Sequence, residues 1–407
     1  MRVTVDARKM ASVLQRLSST PVNSAIEISQ EIRIEASSAG YIVVTATSGT
    51  IHYLIKIQAD VIQPGNCLVE SRALRDIIKT FSITELEIHM DFDAEKGFRL
   101  IAGKSVFPLT GSSISLFPET TTSNLENIFC IDSNSLKGAL VRTSVSRQDK
   151  LSRHTPQGVI IDLMNDSVQV VCVNEKSLSR EIVDSDIDFS NVDFNSSLIE
   201  KRYLADGKPI NRIGDSPNVE YVKYWRILLS NESAAMIQRV ATGELKMSAS
   251  DDRLVWSWHD SFSRSKIIIA GLPRVNPNFK WRVLLRKPSM YRFEISVSKL
   301  RALLTRANIM LRNSKDTDGV ILKRDGDKLA AYAKLGIDFE LASFVDGTSK
   351  FRCLLDCQLF LSGLSGFSDD NVVVDIGDDD SHIFLRPPDG SSDSYFFCFA
   401  KKIEQVT

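Results

Sequence analysis

Three similar stretches of the chain carry cations, with an arginine at the same place in each. Arg8, Lys9 and Arg16 lie in VDARKMASVLQRLSS from Val5, Lys137 and Arg142 in IDSNSLKGALVRTSV from Ile131, and Lys299, Arg301 and Arg306 in ISVSKLRALLTRANI from Ile295. The three stretches align without gaps, and Arg16, Arg142 and Arg306 share one position. Cations repeated in this way suit contact with phosphates. Such contact carries no sequence preference here, because no zinc-finger spacing, basic zipper or ribonucleoprotein aromatic signature accompanies them. Other chemistry is poorly represented. The chain has no GxxxxGKS or GxxxxGKT, no GxGxxG, no HExxH and no GxSxG. His52, His89, His154, His259 and His382 are scattered, without a carboxylate or cysteine at ligand spacing, and read as strand or loop residues. Asp91, Asp93 and Glu95 lack the glycine and distal glutamate of a calcium loop. Together with Asp251, Asp252 and Asp378 to Asp380 in matching turns, they read as solvated hairpin tips. Cys353 and Cys357 have neither CxxC nor metal spacing and are expected to pack in a core.

The elements that must position these cations can be read from periodicity. Met10, Val13, Leu14 and Leu17, then Leu136, Ala139, Leu140 and Thr143, then Leu300, Leu303, Leu304 and Ala307 form one buried stripe per helix. The shared arginine falls roughly 120° from the first apolar position, at the border of the exposed face. There it either meets phosphate or braces a joint between domains. A second unit also recurs three times, from Cys67, Arg226 and Arg352, each a strand, a helix and another strand followed by a polar turn. Over the six helices so predicted (6–19, 70–80, 132–147, 230–241, 296–312 and 356–366), fourteen Lys and Arg face six acids, a net of +8 in a chain of net −1. Lys and Arg are good helix formers, but so is Glu, which is almost missing from these windows. Such segregation fits helices that share one positive surface.

Pairing the two kinds of unit predicts three similar α+β domains, 1–120, 128–286 and 292–402. The second is lengthened by an insertion at 186–224, rich in Asn, Asp, Ser and Gly, which reads as a long surface loop. No apolar run approaches the ~18 residues of a membrane span, and MRVTVDARKM does not look like a secretory signal. The six cysteines lie far apart in apolar runs, as reduced core thiols do. A soluble, cytoplasmic protein is expected.

The chain resembles the bacterial DNA sliding clamps, the β subunit of DNA polymerase III, over essentially its whole length. MRVTVDARKMASVLQRLS looks like the first strand and helix of that family, GNCLVESRALRDIIKTF like its second unit, and GKSVFPLTGSSISLFPE like its segment ending in Phe-Pro. SRQDKLSRHTPQGVIIDL resembles its second-domain segment, with Gln157 and Gly158 where Asn-Gly is usual. The resemblance implies a non-enzymatic processivity factor without cofactor or metal, whose two head-to-tail copies form a ring of six domains, helices inside and sheets outside. Duplex DNA would pass through the ring, touched by Arg8, Lys9, Arg16, Arg72, Arg75, Lys79, Lys137, Arg142, Arg147, Gln148, Lys299, Arg301 and Arg306. It also implies a homodimer contact between Phe107 and Leu109 on one copy and Ile309 and Met310 on the other. Loading by an ATP-dependent clamp loader, and tethering of the replicative polymerase and other clamp-binding proteins, are implied as well. Partner peptides of the family enter an apolar pocket, matched here by Pro156, Val173, Leu178, Pro277, Leu359, Phe396, Cys398 and Phe399. Two stretches depart from the family: VNEKSL at 173–178 stands for Thr-Asp-Gly-His-Arg-Leu, and CFAKK at 398–402 for Met-Pro-Met-Arg-Leu. With the insertion, these departures keep open an alternative, a clamp-fold scaffold or specialised paralogue that binds proteins without serving as the replicative clamp.

Overall fold

The structure is a computed structural model that describes all residues except 23–26, 82–85, 113–116, 119–126, 151, 153, 165–166, 186–197, 206–207, 210–217, 250–252, 273–278, 280, 282–283, 285–288, 314–318, 334–335, 345–350, 368–369, 378–381, 389–393 and 403–407. Among the described residues there are six α-helices: α1 Ala7–Leu17, α2 Ser71–Phe81, α3 Ser133–Thr143, α4 Asn231–Val240, α5 Val297–Asn313 and α6 Cys357–Leu364. Each matches its expected window, α2 and α5 running one residue past it. The third is shorter than expected and passes into a 3-10 turn at Ser144–Ser146.

The helix ends follow from local chemistry. Asp6 caps α1 by accepting the Lys9 amide at 2.8 Å, and Asp356 caps α6 through the Leu359 amide at 3.1 Å. Each cap satisfies an amide that the helix itself cannot, a contribution of about 1 kcal/mol. The apolar stripes are buried as their spacing requires: Met10, Val13, Leu14 and Leu17 in α1, Leu136, Ala139, Leu140 and Thr143 in α3, and Leu300, Leu303, Leu304 and Ala307 in α5. The Thr143 hydroxyl donates to the Ala139 carbonyl at 2.8 Å, which lets a polar residue sit in the buried stripe.

The chain divides into two compact units, the first built chiefly from Met1–Asn134 and Glu232–Leu272, the second from Ser135–Asp186, Ser196–Asn231 and Pro273–Thr407. The first unit holds two antiparallel sheets. In its nine-stranded sheet, Tyr41–Thr47 pairs with Ile51–Gln58, which pairs with Ser263–Ala270, then Arg253–His259, Glu244–Ala249 and Asn127–Asp132. Strands assigned by sequence to separate domains therefore share one sheet, joined where Ile51 to Ile57 register with Ile269 to Ser263. Its five-stranded sheet ends at the edge strand Ser105–Leu109.

The second unit has an eleven-stranded sheet in which Ser167–Val173, Ser177–Asp184, Ser394–Phe399 and His382–Arg386 are consecutive neighbours. Its five-stranded sheet ends at the edge strand Gly336–Leu341. Two glycines at corresponding places fix strand starts here. Gly158 and Gly319 have φ of +135° and +112°, and an added Cβ would come within 2.2 Å of the Leu229 carbonyl oxygen or 2.4 Å of that of Leu355. Only glycine fits so close to a neighbouring backbone.

The insertion differs from the expected loop. Leu198–Ala205 pairs antiparallel with Asn218–Leu229, with Leu198 opposite Tyr224 and Leu204 opposite Asn218, so its described part is a hairpin that extends the sheet. Ile199 and Tyr203 on one strand and Val219, Tyr221 and Val222 on the other are good strand formers. Average composition concealed them. Residues 186–197, 206–207 and 210–217 of the insertion lie outside the described residues.

Candidate nucleic-acid interface, sheet edges and partner groove

Each shared arginine has an acidic partner, with Arg16 half-buried and Arg142 and Arg306 exposed. The Arg16 guanidinium donates to Asp260 at 2.8 Å and to the Ser263 hydroxyl at 3.0 Å, and lies 5.1 Å from the centre of the Phe262 ring. Arg142 meets Glu181 at 3.1 Å, and Glu181 is buried. Arg306 pairs with Asp338 and, at 2.9 Å, with Glu340. In every case the acid comes from a strand or from the turn beside one, so the arginine ties its helix to a sheet and its charge is matched on the spot. Arg16 and Asp260 stand in different expected domains, whereas Arg142 with Glu181 and Arg306 with Asp338 each lie within one, so only the first of these braces is at an expected domain joint.

Arg8, Arg72, Lys79, Lys299 and Arg301 are exposed, and Lys9, Arg75, Lys137, Arg147 and Gln148 are half-buried. Lys9, Lys137 and Lys299 have no acidic partner among the described residues. Arg75 meets its neighbour Asp76 at 3.2 Å, Arg72 reaches the same acid at 4.0 Å, and Arg147 meets Asp149 at 3.0 Å. Such solvent-facing pairs are weak, and a phosphate can replace the acid. Arg301 donates to the Leu364 carbonyl at 3.1 Å, and Gln148 to that of Lys150 at 2.7 Å.

The two edge strands both carry exposed apolar side chains. On Ser105–Leu109, Phe107 and Leu109 are half-buried, Phe107 packs against Phe81 with ring centres 5.3 Å apart, and Val106 is exposed. On Gly336–Leu341, alternation sends Asp338 and Glu340 toward Arg306 on α5 and leaves Ile337 51% and Phe339 41% exposed. Ile309 on α5 is exposed and Met310 half-buried. Ile337 and Phe339 escaped the sequence reading, although the alternating IDFEL was a visible sign: acids at 338 and 340 toward the helix require the apolar residues to face out.

The expected partner pocket is divided by strand parity. Val173 registers with Leu178, Leu178 with Phe397, and Phe384 with Phe397, so these four share one sheet face. There they form an apolar cluster with Ile160, Val171, Leu228 and Trp281. Phe399, one alternation further on, is exposed at the border of this face, its ring 4.9 Å from that of Phe397. Phe396 and Cys398 have the other parity. They face the core under α5 and α6, with Leu359 packed against the same core. Phe396 and Cys398 therefore do not share a sheet face with Val173 and Leu178. Pro156 is half-buried, and Pro277 lies outside the described residues.

Trp281 seals the first cluster. Its indole N–H donates to Asp162 at 3.2 Å. Asp162 in turn takes two hydrogen bonds from Arg226, at 2.6 and 2.7 Å, and Arg226 donates to the Phe279 carbonyl at 2.9 Å. Both side chains of this ion pair are almost fully buried, so removing one partner would strand the other charge at a cost of roughly 3–5 kcal/mol. Trp281, Phe384 and Phe397 were missed in the sequence; period two from Leu178 across to the C-terminal strand was the available signal.

None of the six cysteines is in a disulfide; Cys130 is exposed and the other five are buried. Burial pushes the Cys67, Cys172 and Cys357 thiols up to about 12, leaving them protonated and inert. At the tip beginning at Asp91, the Asp93 carboxylate accepts the amides of Glu95 and Lys96, a hydrogen-bonded turn. The acids at 251, 252 and 378–380 lie outside the described residues.

Repeated strand–helix–strand units over antiparallel sheets are shared with a known class, and the fold is that of the DNA sliding clamps. Over 99% of this chain and 100% of its own, the crystal structure of the DNA polymerase III subunit beta from Pseudomonas aeruginosa superposes with a TM-score of 0.78 at 15% identity. The DNA polymerase sliding clamp from Bacillus subtilis does so at 0.77 and 13%, again over 99% and 100%. In sequence, the beta sliding clamp of Chlamydia muridarum is 23% identical over 181 residues, 44% of this chain and 49% of the relative. The chain thus spans about half the length of the curated relative it matches. No family model matches the sequence.

Proposed function

We propose that the chain is a divergent DNA sliding clamp: two copies joined head to tail enclose duplex DNA and tether the replicative polymerase and other DNA-processing proteins. The observation that carries this is the full-length likeness of fold to solved clamps, at a TM-score of 0.78. Cationic helices in a chain of net −1 support it. With the three domains per chain that the repeated units predict, two copies suffice for closure, since a head-to-tail contact closes only if its rotation returns to the start. The edge strand bearing Phe107 and Leu109 then meets the edge strand bearing Ile337 and Phe339 of a second copy, with Ile309 and Met310 beside it. Hydrogen bonding between two open edges, with apolar side chains packed across them, is a common mode of strand addition.

The work is mechanical and occurs in the cytoplasm. A closed ring holds its partner on DNA by topology, so Lys9, Lys137, Lys299 and the exposed arginines need make only weak, equivalent phosphate contacts that permit sliding. An ATP-dependent clamp loader opens and places the ring. After loading by such a loader, the protein is expected to stay on nicked circular DNA through gel filtration and to run off the same DNA once linearised. Equal loss from both forms would refute the proposal.

A further inference from the structure

The nine-stranded sheet of the first unit has a second face, turned away from α1. On the inner side, Ile42, Val44, Tyr53, Ile55 and Ile57 are buried, and α1 packs on Tyr41–Thr47 and Ile51–Gln58. On the outer side lies a cleft of about 500 Å³. That volume is within the usual range of ligand sites. Its floor includes Val43 and Leu54, and around them stand Lys56, Lys246, Arg264 and Lys266.

Strand register places these cations side by side. Lys56 is directly opposite Arg264, which has His259 on its other side. Lys266 lies between Leu54 and Ser257, and Ser257 is opposite Lys246. Like charges directly opposite one another destabilise a sheet, and this chain as a whole has no positive excess. Lys246 and Arg264 have no acidic partner among the described residues. One acid, Glu244, is present in the cleft lining. A concentration of positive charge over an apolar floor matches an anionic ligand with an aliphatic part.

We propose that this cleft binds an acidic peptide segment of a partner protein, with an aliphatic side chain on Val43 and Leu54 and carboxylates on either side meeting the four cations. A single-stranded nucleic acid fits less well. Such ligands need aromatic platforms. Here Trp258 is buried and stacked against Tyr53, with ring centres 5.9 Å apart, and the Tyr41 ring is covered by the Lys56 ammonium at 3.3 Å. The site is on the face opposite α1, so peptide and duplex do not compete for the same surface.

The test uses the full chain and fluorescence anisotropy with a labelled Glu-Asp-Leu-Glu-Asp-Leu-Glu-Asp peptide, its Gln/Asn counterpart and a labelled twelve-residue oligothymidylate. The acidic peptide should bind, more weakly as salt rises, and Arg264→Glu with Lys266→Glu should weaken it about tenfold or more. Arg264→Lys should retain binding, and Lys104→Glu, on an exposed turn remote in sequence from the cleft, should leave it unchanged. Melting temperature reports whether each variant folds; if the double reversal does not, Lys56→Gln with Lys246→Gln is read in its place. No binding by the wild type, equal binding of the neutral peptide, or indifference to loss of the cations would overturn the proposal. So would displacement of the peptide by a tighter-binding oligothymidylate.

Discussion

Arg16 and Asp260 lie 244 residues apart in sequence and 2.8 Å apart in the fold. Burial works against ionisation of the Asp260 carboxyl. Hydrogen bonds from the Phe262 amide, the Ser263 hydroxyl, Arg16 and the Ser263 amide outweigh it, and hold the group below the usual carboxylate range. A folded-state value below the unfolded one means stabilisation that is present above the ordinary carboxylate range and lost as pH falls through the lowered value. Asp260→Asn is therefore expected to lower stability at neutral pH, by about 1–2 kcal/mol. It should also flatten the acid limb, so that wild-type and variant melting temperatures converge on acidification. Parallel curves from neutral pH into the acid range would show that Asp260 is not the group responsible. The position of Arg16 could be read from three aligned helices. Its partner could not, because nothing local in the sequence distinguishes Asp260 from any other turn acid.

Among elements, helices were the most legible because their signal is local: a stripe such as Leu300, Leu303, Leu304 and Ala307 declares both type and buried face. Sheet membership was not, since the pairing of Ile51–Gln58 with Ser263–Ala270 depends on residues some two hundred positions away. Face parity was recoverable from period two in Ser394–Phe399, where Phe397, not Phe396 or Cys398, joins Leu178. The edge strand Gly336–Leu341 permits a test at this scale. Its exposed Phe339 contributes little to its own sheet, so Phe339→Arg should leave circular dichroism and melting temperature nearly unchanged. It should nevertheless weaken head-to-tail association by roughly a hundredfold, about 3 kcal/mol, because an arginine would be buried against the apolar edge of the second copy. Sedimentation equilibrium would show the shift from dimer to monomer. A variant that dimerises as tightly as the wild type would exclude this edge from the interface.

For the whole molecule, the informative quantity is the contrast between helices of net +8 and a chain of net −1, which requires the rest to be strongly acidic. Such segregation, with an acidic remainder, disfavours non-specific adsorption to nucleic acid, and the proposed function requires the cationic helices to supply the attraction. The structure separates the cations by partner. Arg16, Arg142 and Arg306 are matched by acids, whereas Lys9, Lys137 and Lys299 are not matched among the described residues. Each phosphate contact contributes about 0.9 to the dependence of log affinity on log salt for duplex DNA. The combined Lys9→Ala, Lys137→Ala and Lys299→Ala variant should thus reduce the slope by roughly 3 per protomer, equally on duplexes of unrelated sequence. The combined Arg16→Ala, Arg142→Ala and Arg306→Ala variant should lower the melting temperature and change the slope far less. Anisotropy titrations of two short duplexes at several salt concentrations separate the two outcomes. If the arginine variant loses the salt dependence and the lysine variant keeps it, the shared arginines exchange their acids for phosphates when DNA is present, and the brace is only the resting arrangement of the helices.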